Sequence, residues 1–184
     1  NTVLLKDGEL YGYNSDYFGF GKMLEINNIE VKEKIAVVLG YGGAAKAVIT
    51  YLLDNNVNKL YVVRRDKSPK EGLDSRAILI DYEDLKNIKG DILVNTTPVG
   101  MYPNVGKSPV EEEVVNNFSA LVDLIYNPKE TEFLRLGNSL GKKICGGLYM
   151  LVGQAIKSQE IWQNKKLDEK ILNEIYEELN REFI

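Results

Sequence analysis

A run of small residues directly after a short apolar strand is the clearest chemical signal in the chain. The strand pattern at residues 37–39 leads into Gly40, Tyr41, Gly42, Gly43 and Ala44. A strand-to-helix turn of this kind exposes backbone N–H groups at a helix N-terminus, where a pyrophosphate binds. We assign the sharp turn to Gly40 and close phosphate approach to Gly42. Gly43 and Ala44 are interpreted as leaving room for helix–strand packing. The alternative is a tight turn without a ligand.

Charged residues follow the second apolar strand, at residues 60–63, in the order Arg64-Arg65-Asp66. In a dinucleotide fold this position reads the adenosine ribose. Arg64 and Arg65 would pair with a 2′-phosphate and predict NADP, and Lys67 adds positive charge beside them. Asp66 would accept hydrogen bonds from the ribose hydroxyls, which fits NAD. The sequence therefore predicts NADP and leaves NAD open.

A third polar segment, Asn95-Thr96-Thr97-Pro98, follows another apolar strand. Its small hydroxyl and amide side chains, Thr96 among them, can contact the nicotinamide ribose, and the alternative is a plain turn. The chain has no histidine, so a proton transfer must use Lys, Asp, Glu, Tyr or water. Its single cysteine, Cys145, lies in an apolar run and is interpreted as a buried strand residue, not a nucleophile. One cysteine also excludes a cysteine-based zinc site, and we expect no metal.

Strands alternate with helices along most of the chain. Strands are predicted at residues 35–39, 60–63, 77–80, 92–95, 120–125 and 143–145. Helices are predicted from residue 15 to about 27 and at 44–53, 83–88, 110–116, 130–137, 148–162 and 168–181. This alternation predicts the α/β class, a doubly wound parallel sheet forming one Rossmann-like NAD(P)-binding domain over residues 1–184, with C-terminal helices. The apolar face of the last helix, which runs toward Ile184, fits intrachain packing or a homodimer interface.

Composition narrows the class of protein. The chain has 184 residues, of which 44% are hydrophobic and 27% charged, as in an ordinary globular protein. The net charge of −4 argues against general binding of nucleic acid or of an anionic membrane. No apolar run approaches the ~20 residues that a membrane span needs. We expect a cytoplasmic protein whose partner is a small-molecule substrate.

Six short runs, in this order and spacing, resemble the shikimate dehydrogenase family. They are N-T at residue 1, G-Y-N-S-D at 12, G-Y-G-G-A-A-K-A at 40, N-T-T-P-V-G-M at 95, D-L-I-Y-N-P-K-E-T at 123 and G-G-L-Y-M-L-V-G-Q-A at 146. The runs at residues 123–128 and 147–155 are the most distinctive. The resemblance implies the reversible reduction of 3-dehydroshikimate to shikimate, usually with NADPH, in aromatic amino-acid biosynthesis.

The resemblance also implies roles for residues that the spacing alone leaves undefined. Asp16 matches the aspartate of the family's catalytic lysine–aspartate pair; from the residues alone, Asp16 would be a helix N-cap. Asn1, Tyr126 and Gln154 match residues that bind the substrate. Leu124 and Gly147 fall where the backbone approaches the nicotinamide.

Two departures from the family pattern matter. The Arg-Arg-Asp run at residues 64–66 is similar to the quinate/shikimate dehydrogenase branch, which accepts NAD as well as NADP. The family's N-terminal substrate domain, with a serine pair and the catalytic lysine, does not precede Asn1 in this chain, which suggests a fragment. We therefore expect cofactor binding with little or no turnover. The alternatives are a stand-alone nucleotide-binding module and another Rossmann-type reductase.

Overall fold

The computed structural model describes residues 1–66, 68 and 72–182. Its strands are β1 (Thr2–Lys6), β2 (Glu9–Tyr13), β3 (Ile35–Leu39), β4 (Lys59–Val63), β5 (Ala77–Ile80), β6 (Ile92–Asn95), β7 (Ala120–Asp123) and β8 (Lys143–Cys145). Its helices are α1 (Ser15–Ile26), α2 (Gly43–Asp54), α3 (Tyr82–Leu85), α4 (Glu112–Asn116), α5 (Glu132–Ser139), α6 (Leu148–Gln163) and α7 (Glu169–Glu182). Within these ranges no helix combines the length and apolar character needed to cross a membrane.

Six of the strands form a parallel sheet in the order β5-β4-β3-β6-β7-β8. Within this sheet the chain begins at the central strand β3, continues outward through β4 to β5, returns to the centre at β6 and continues through β7 to β8 at the other edge. The predicted doubly wound α/β class is confirmed. The strand predicted at residues 120–125 is shorter than expected, because β7 ends at Asp123 and the chain then leaves the sheet. β3 and β6 are parallel neighbours, and the chain continues from them toward opposite edges of the sheet. This reversal creates a switch point between their carboxyl ends.

Helices cover both faces of this sheet. Successive residues of β3 point to opposite faces, so Val38 packs with α1, α2 and α6 while Val37 packs with α3, α4 and α5. Phe20 of α1 and Phe133 of α5 are fully buried, one in each layer. The nearly all-apolar strand that the sequence predicted at residues 35–39 is therefore buried on both faces of the sheet.

A separate antiparallel hairpin of β1 and β2 precedes the parallel sheet along the chain, and the sequence pattern did not predict it. Its side chains are largely exposed, with Leu10 at 74%. A two-stranded sheet is marginal on its own. The hairpin is attached to α6, where Trp162 Nε1 donates to the Val3 carbonyl oxygen at 2.9 Å.

The apolar face of α7 packs within the chain. Leu172 is buried, and the ring of Tyr176 stacks on that of Tyr149 in α6 at a centroid distance of 3.6 Å. Of the two alternatives for this helix, intrachain packing is therefore the one that the structure contains. Ile184, toward which the predicted helix ran, lies outside the described residues.

Candidate functional site

The glycine turn lies at the carboxyl end of β3, beside the switch point of the sheet. Gly40 has φ of +99°, a region that favours glycine. A Cβ there would lie 3.0 Å from Thr96 Oγ1 and 3.1 Å from Thr97 Cγ2. The sharp turn is thus where the sequence placed it, and the loop after β6 packs directly against it.

The N-terminus of α2 is open to an anion. Its N-cap, Gly42, supplies no side-chain hydrogen bond, and the first turn contains no acidic residue. Apart from the adjoining backbone of the turn and helix, no heavy atom of the described residues lies within 4 Å of a Cβ built on Gly42 or on Gly43. Backbone N–H groups at such a helix end suit a phosphate. The packing role assigned to Gly43 is wrong, because Gly43 is exposed and the fully buried Ala45 packs in the core instead.

A buried hydroxyl accompanies this turn. Tyr41 packs against the core layer of α1, α2 and α6, and its hydroxyl oxygen has no hydrogen-bond partner among the described residues. Buried polar atoms are ordinarily paired, so an unpaired one at a binding turn fits a polar ligand or its water. The turn, the uncapped helix and this hydroxyl together fit a dinucleotide.

The charged segment after β4 forms a short turn of its own. Asp66 accepts hydrogen bonds from the backbone N–H of Ser68 at 2.9 Å and from the Ser68 hydroxyl. Arg64 donates from its backbone to the Ile80 carbonyl at 3.0 Å and from its guanidinium to the Ser68 carbonyl at 3.4 Å. Arg65 is exposed, and Lys67 lies outside the described residues. The Asp66 carboxylate therefore takes part in the turn, beside two arginines.

A cavity of about 360 Å³ lies at the carboxyl ends of β6 and β7. One wall is the loop with Thr96, Thr97 and Pro98, the other is the loop of residues 124–127, and Ala44 connects the cavity to the glycine turn. Tyr126 stands in the second wall and is 40% exposed. Of the side chains expected here, those of Thr96 and Thr97 line the cavity, whereas Asn95 is fully buried and lies outside the lining.

Gly147 holds the start of α6 against the second wall. A Cβ on Gly147 would lie 2.1 Å from the Leu124 carbonyl oxygen, a distance that no side chain tolerates. Its N–H donates to the Ile125 carbonyl at 3.0 Å. Leu124 and Gly147, both expected near the cofactor, are thus in direct backbone contact.

Three residues expected to bind substrate meet around one amide. Asn1 Nδ2 donates to Asp16 Oδ1 at 2.8 Å and to Gln154 Oε1 at 3.3 Å. The Ser15 N–H donates to Asn1 Oδ1 at 2.8 Å, which fixes the direction of the amide. Asp16 Oδ2 accepts no hydrogen bond from the described residues, so it can accept one from a ligand hydroxyl. Tyr126, the fourth expected residue, instead lines the cavity described above.

Asp16 lies in the first turn of α1 and is not its N-cap. The cap is Asn14, whose side-chain oxygen accepts from the Tyr17 N–H at 3.4 Å, so the alternative role for Asp16 is wrong. Partial burial raises the pKa of the Asp16 carboxyl. A raised pKa suits a carboxyl that exchanges a proton with a ligand.

Two glycines let α1 and α6 cross closely enough to bring Asp16 and Gln154 together. A Cβ on Gly19 would lie 2.6 Å from the Met150 carbonyl oxygen. A Cβ on Gly153 would lie 3.2 Å from the Gly19 Cα. Without side chains at these positions the helix backbones touch. Asp16, one turn before Gly19, and Gln154, next to Gly153, then both come within reach of Asn1.

A triangle of hydroxyls, which the sequence analysis missed, supports this cluster. Thr2 Oγ1 lies 3.1 Å from Ser15 Oγ and 2.7 Å from Ser158 Oγ, and the two serine oxygens are 3.2 Å apart. Ser158 also donates to the Gln154 carbonyl at 2.9 Å. Thr2 follows Asn1 in the chain, and Ser15 precedes Asp16. In the sequence, the only signal for Thr2 and Ser15 was that each is next to an expected site residue.

A second missed cluster lies inside the sheet, at the ends of β6 and β7. It consists of Asn95, Asp123 and Thr131, all of them buried. Burial raises the pKa of the Asp123 carboxyl to about 6. Hydrogen bonds from Thr131, Ile125 and Asn95 favour the charged form and lower the pKa, but the effect of burial is larger. In the sequence, this cluster was indicated only by the polar residues Asn95 and Asp123 at the ends of two otherwise apolar strands, β6 and β7.

Comparisons with known proteins bear on the whole chain. No family model matches it. A shikimate dehydrogenase (NADP(+)) of Clostridium beijerinckii is 53% identical over 184 residues, which are all of this chain and 68% of that protein. The structure of shikimate dehydrogenase 1 from Peptoclostridium difficile superposes with a TM-score of 0.92 at 63% identity, covering 99% of this chain and 67% of the other.

A chorismate mutase/shikimate 5-dehydrogenase fusion protein from Clostridium acetobutylicum has a similar structure. It superposes with a TM-score of 0.96 at 48% identity and covers all of this chain and 67% of the fusion chain. Sequence identity of this size over the full length, together with the shared fold, establishes descent from a common ancestor. The chain therefore belongs to the shikimate dehydrogenase family.

Proposed function

We propose that this chain binds NADP(H) and contributes to the reversible reduction of 3-dehydroshikimate to shikimate. The observation that carries the proposal is the hydrogen-bonded cluster of Asn1, Asp16 and Gln154. These residues are far apart in sequence, and a nucleotide-binding module without catalysis would not need them together. The names of the relatives, shikimate dehydrogenase (NADP(+)), support the same activity and cofactor.

The cofactor would lie along the carboxyl edge of the sheet. The uncapped N-terminus of α2, from Gly40 to Ala44, would hold the pyrophosphate, with Tyr41 beside it. Arg64 and Arg65 would pair with the 2′-phosphate, and Asp66 supports their turn. Thr96, Leu124 and Gly147 would contact the nicotinamide end. Bound NADPH supplies the hydride, and the protein orients the two reacting carbons.

The substrate would lie between the nicotinamide cavity and the Asn1 cluster. Asp16 would accept a hydrogen bond from a substrate hydroxyl and take part in proton transfer. Asn1 would hold the Asp16 carboxylate in place and, with Gln154, would bind further polar groups of the substrate. Tyr126 would contact the substrate from the wall of the cavity.

The catalytic lysine and the serine pair would lie in a separate substrate domain. The chain spans 68% of the Clostridium beijerinckii relative, so about a third of that protein has no counterpart here. We propose that residues 1–184 form the nucleotide-binding domain. No lysine among residues 1–184 can be assigned as the partner of Asp16, so a polypeptide of these residues alone would turn over little or no shikimate. A steady-state assay showing near-normal turnover would contradict this division of labour.

The proposed reaction is a step of aromatic amino-acid biosynthesis, and we place it in the cytoplasm. Cys145 is a buried free thiol, as expected in a reducing compartment. Burial raises the pKa of this thiol to about 12, so it stays protonated at neutral pH and does not act as a nucleophile.

Separate titrations with NADPH and NADH test the cofactor. We expect NADPH to bind more tightly, and replacing Arg64 and Arg65 by alanine should weaken NADPH by at least about tenfold, or 1.4 kcal/mol. NADH should be affected much less, because it lacks the 2′-phosphate. Arg76→Ala is a matched control, since Arg76 pairs with Asp74. NADH binding tenfold tighter than NADPH would refute the cofactor assignment.

A further inference from the structure

One buried carboxylate lies behind both walls of the cavity at the ends of β6 and β7. Asp123 ends β7 with no exposed surface, and its neighbour Asn95, which ends β6, is also fully buried. Asn95 Nδ2 donates to Asp123 Oδ1 at 3.0 Å. The two side chains therefore bridge the strands at the level where the two lining loops begin.

The first wall is fixed to Asp123 through Asn95. Asn95 Oδ1 accepts hydrogen bonds from the Thr97 N–H at 3.0 Å and from the Thr97 hydroxyl at 2.7 Å. The Thr97 hydroxyl in turn accepts from the Val99 N–H at 3.3 Å. Because the Asn95 amide donates to Asp123 and accepts from Thr97, its orientation is determined. A shift of the first wall would break these bonds in the interior.

The second wall is fixed to the same carboxylate directly. The Ile125 N–H donates to Asp123 Oδ1 at 3.1 Å, one residue before Tyr126. Thr131 donates its hydroxyl proton to Asp123 Oδ2 at 2.6 Å. The Thr131 oxygen also accepts from the Leu134 N–H at 3.3 Å as the N-cap of α5. The loop is thus held on both sides of Tyr126.

We propose that Asp123 is a positioning residue for the nicotinamide end of the cofactor. Its carboxylate sets the spacing between the wall of Thr96 and Thr97 and the wall of Leu124 to Asn127. Three donors converge on the carboxylate where water does not replace them, so neither wall moves without leaving a buried polar group unpaired. The proposal rests on the NADP-binding function proposed above.

The adenosine end of the cofactor provides an internal reference. Arg64 and Arg65 follow β4, on the other side of β3 from the Asp123 network, and none of the hydrogen bonds of that network reaches them. Adenosine 2′,5′-bisphosphate carries the adenosine and the 2′-phosphate but no nicotinamide. A defect in positioning the two walls should therefore weaken NADPH and leave this shorter ligand unaffected.

Two substitutions at Thr131 separate the hydroxyl from its packing. Thr131→Val keeps the shape and removes the donor to Asp123, whereas Thr131→Ser keeps the donor. By calorimetric titration we expect Thr131→Val to weaken NADPH about fivefold while adenosine 2′,5′-bisphosphate stays within about twofold, since a lost hydrogen bond is worth of order 1 kcal/mol. Thr131→Ser should bind both ligands as the unmodified chain does.

Asp123→Asn keeps the volume of the side chain and replaces one acceptor oxygen by a donor. It should show the same selective loss for NADPH as Thr131→Val. Equal losses for both ligands in Thr131→Val and Asp123→Asn would mean a role in folding alone and would overturn the proposal, as would unchanged NADPH affinity. Failure of the unmodified chain to bind adenosine 2′,5′-bisphosphate would instead refute NADP binding itself, and with it the positioning role.

Discussion

Two asparagine–aspartate pairs in this molecule share a geometry and differ in their surroundings. Asn1 Nδ2 lies 2.8 Å from Asp16 Oδ1, and Asn95 Nδ2 lies 3.0 Å from Asp123 Oδ1. Asn1 is exposed and Asp16 is half-buried, whereas Asn95 and Asp123 have no exposed surface. Among the described residues, Asp16 Oδ2 accepts no hydrogen bond, whereas Asp123 Oδ1 accepts two and Asp123 Oδ2 accepts one.

The difference shows how burial determines what such a pair can do. Water satisfies an unfilled acceptor at the surface, so the Asp16 carboxylate can exchange that water for a ligand hydroxyl at little cost. An acceptor left without a hydrogen bond in the interior costs about 1–3 kcal/mol, so the oxygens of Asp123 must accept hydrogen bonds from groups within the protein. The exposed pair is suited to binding and the buried pair to holding other groups in place.

Alanine substitutions should give the largest contrast between the pairs. Asp123→Ala leaves the Asn95 amide, the Thr131 hydroxyl and the Ile125 N–H without their acceptor, and we expect a loss of about 4 kcal/mol in the free energy of unfolding. Asp16→Ala should cost less than about 1 kcal/mol, because water replaces its one bond. Urea unfolding at neutral pH measures both. Similar losses would show that exposure does not separate the two pairs.

The pH dependence of stability should separate the pairs further. Burial raises the pKa of Asp123 to about 6, above the ~3.9 of an unfolded aspartate, so the folded state binds the proton more tightly. This stabilises the folded state at low pH, and the contribution is lost as the pH rises from about 4 through about 6. Its full size is about 3 kcal/mol, at 1.4 kcal/mol per pKa unit.

The measurement compares the unmodified chain with Asp123→Asn at about pH 4 and pH 7. The stability of the unmodified chain relative to the variant should fall between these two values. Asp16→Asn is the matched control and should show a smaller change in the same direction, because partial burial raises the pKa of Asp16 too. A difference independent of pH for Asp123→Asn would contradict a raised pKa.

Substitutions in the hydroxyl triangle of Thr2, Ser15 and Ser158, next to the Asn1–Asp16 pair, should change the stability least. Thr2→Val and Ser158→Ala each remove one member of the hydroxyl triangle, and each should cost about 1 kcal/mol in unfolding free energy. Because the two hydroxyls lie 2.7 Å apart, the double variant should cost less than the sum. Ser139→Ala, on the surface of α5, is a control with an expected loss below about 0.5 kcal/mol. Additive losses would mean that the triangle is not one unit.

The domain was predictable because the central strands of its sheet, β3, β6 and β7, are buried on both faces. Val37 and Val38 face different core layers, so β3 reads as a continuous apolar run with a glycine turn after it. The hairpin was not predictable, because many of its apolar side chains, such as Leu5 and Leu10, are exposed to solvent. The apolar residues of its strands therefore do not mark a buried face. The hairpin is attached to α6 by residues more than a hundred positions away, Ser158 and Trp162 among them, and no local pattern encodes those contacts.

The candidate site was predictable in part. Family motifs identified Asn1, Asp16 and Gln154, and the structure brings these three together. The role proposed for Asp123 could not be predicted from the sequence. It depends on hydrogen bonds from Thr131 and, across the sheet, from Asn95, which is 28 residues from Asp123. A buried network is a property of strand register, and a linear motif does not specify which polar residues become neighbours.

Because Trp162 contacts the hairpin, its fluorescence can be used to follow whether the hairpin stays attached to α6. Trp162 is the chain's only tryptophan, it is 51% exposed, and its indole N–H bonds the Val3 carbonyl. Tryptophan emission therefore follows detachment of the hairpin from α6, while far-ultraviolet circular dichroism follows the parallel sheet and its helices. Recording both signals in one denaturant series would show whether the segment that presents Asn1 separates before the nucleotide-binding core unfolds.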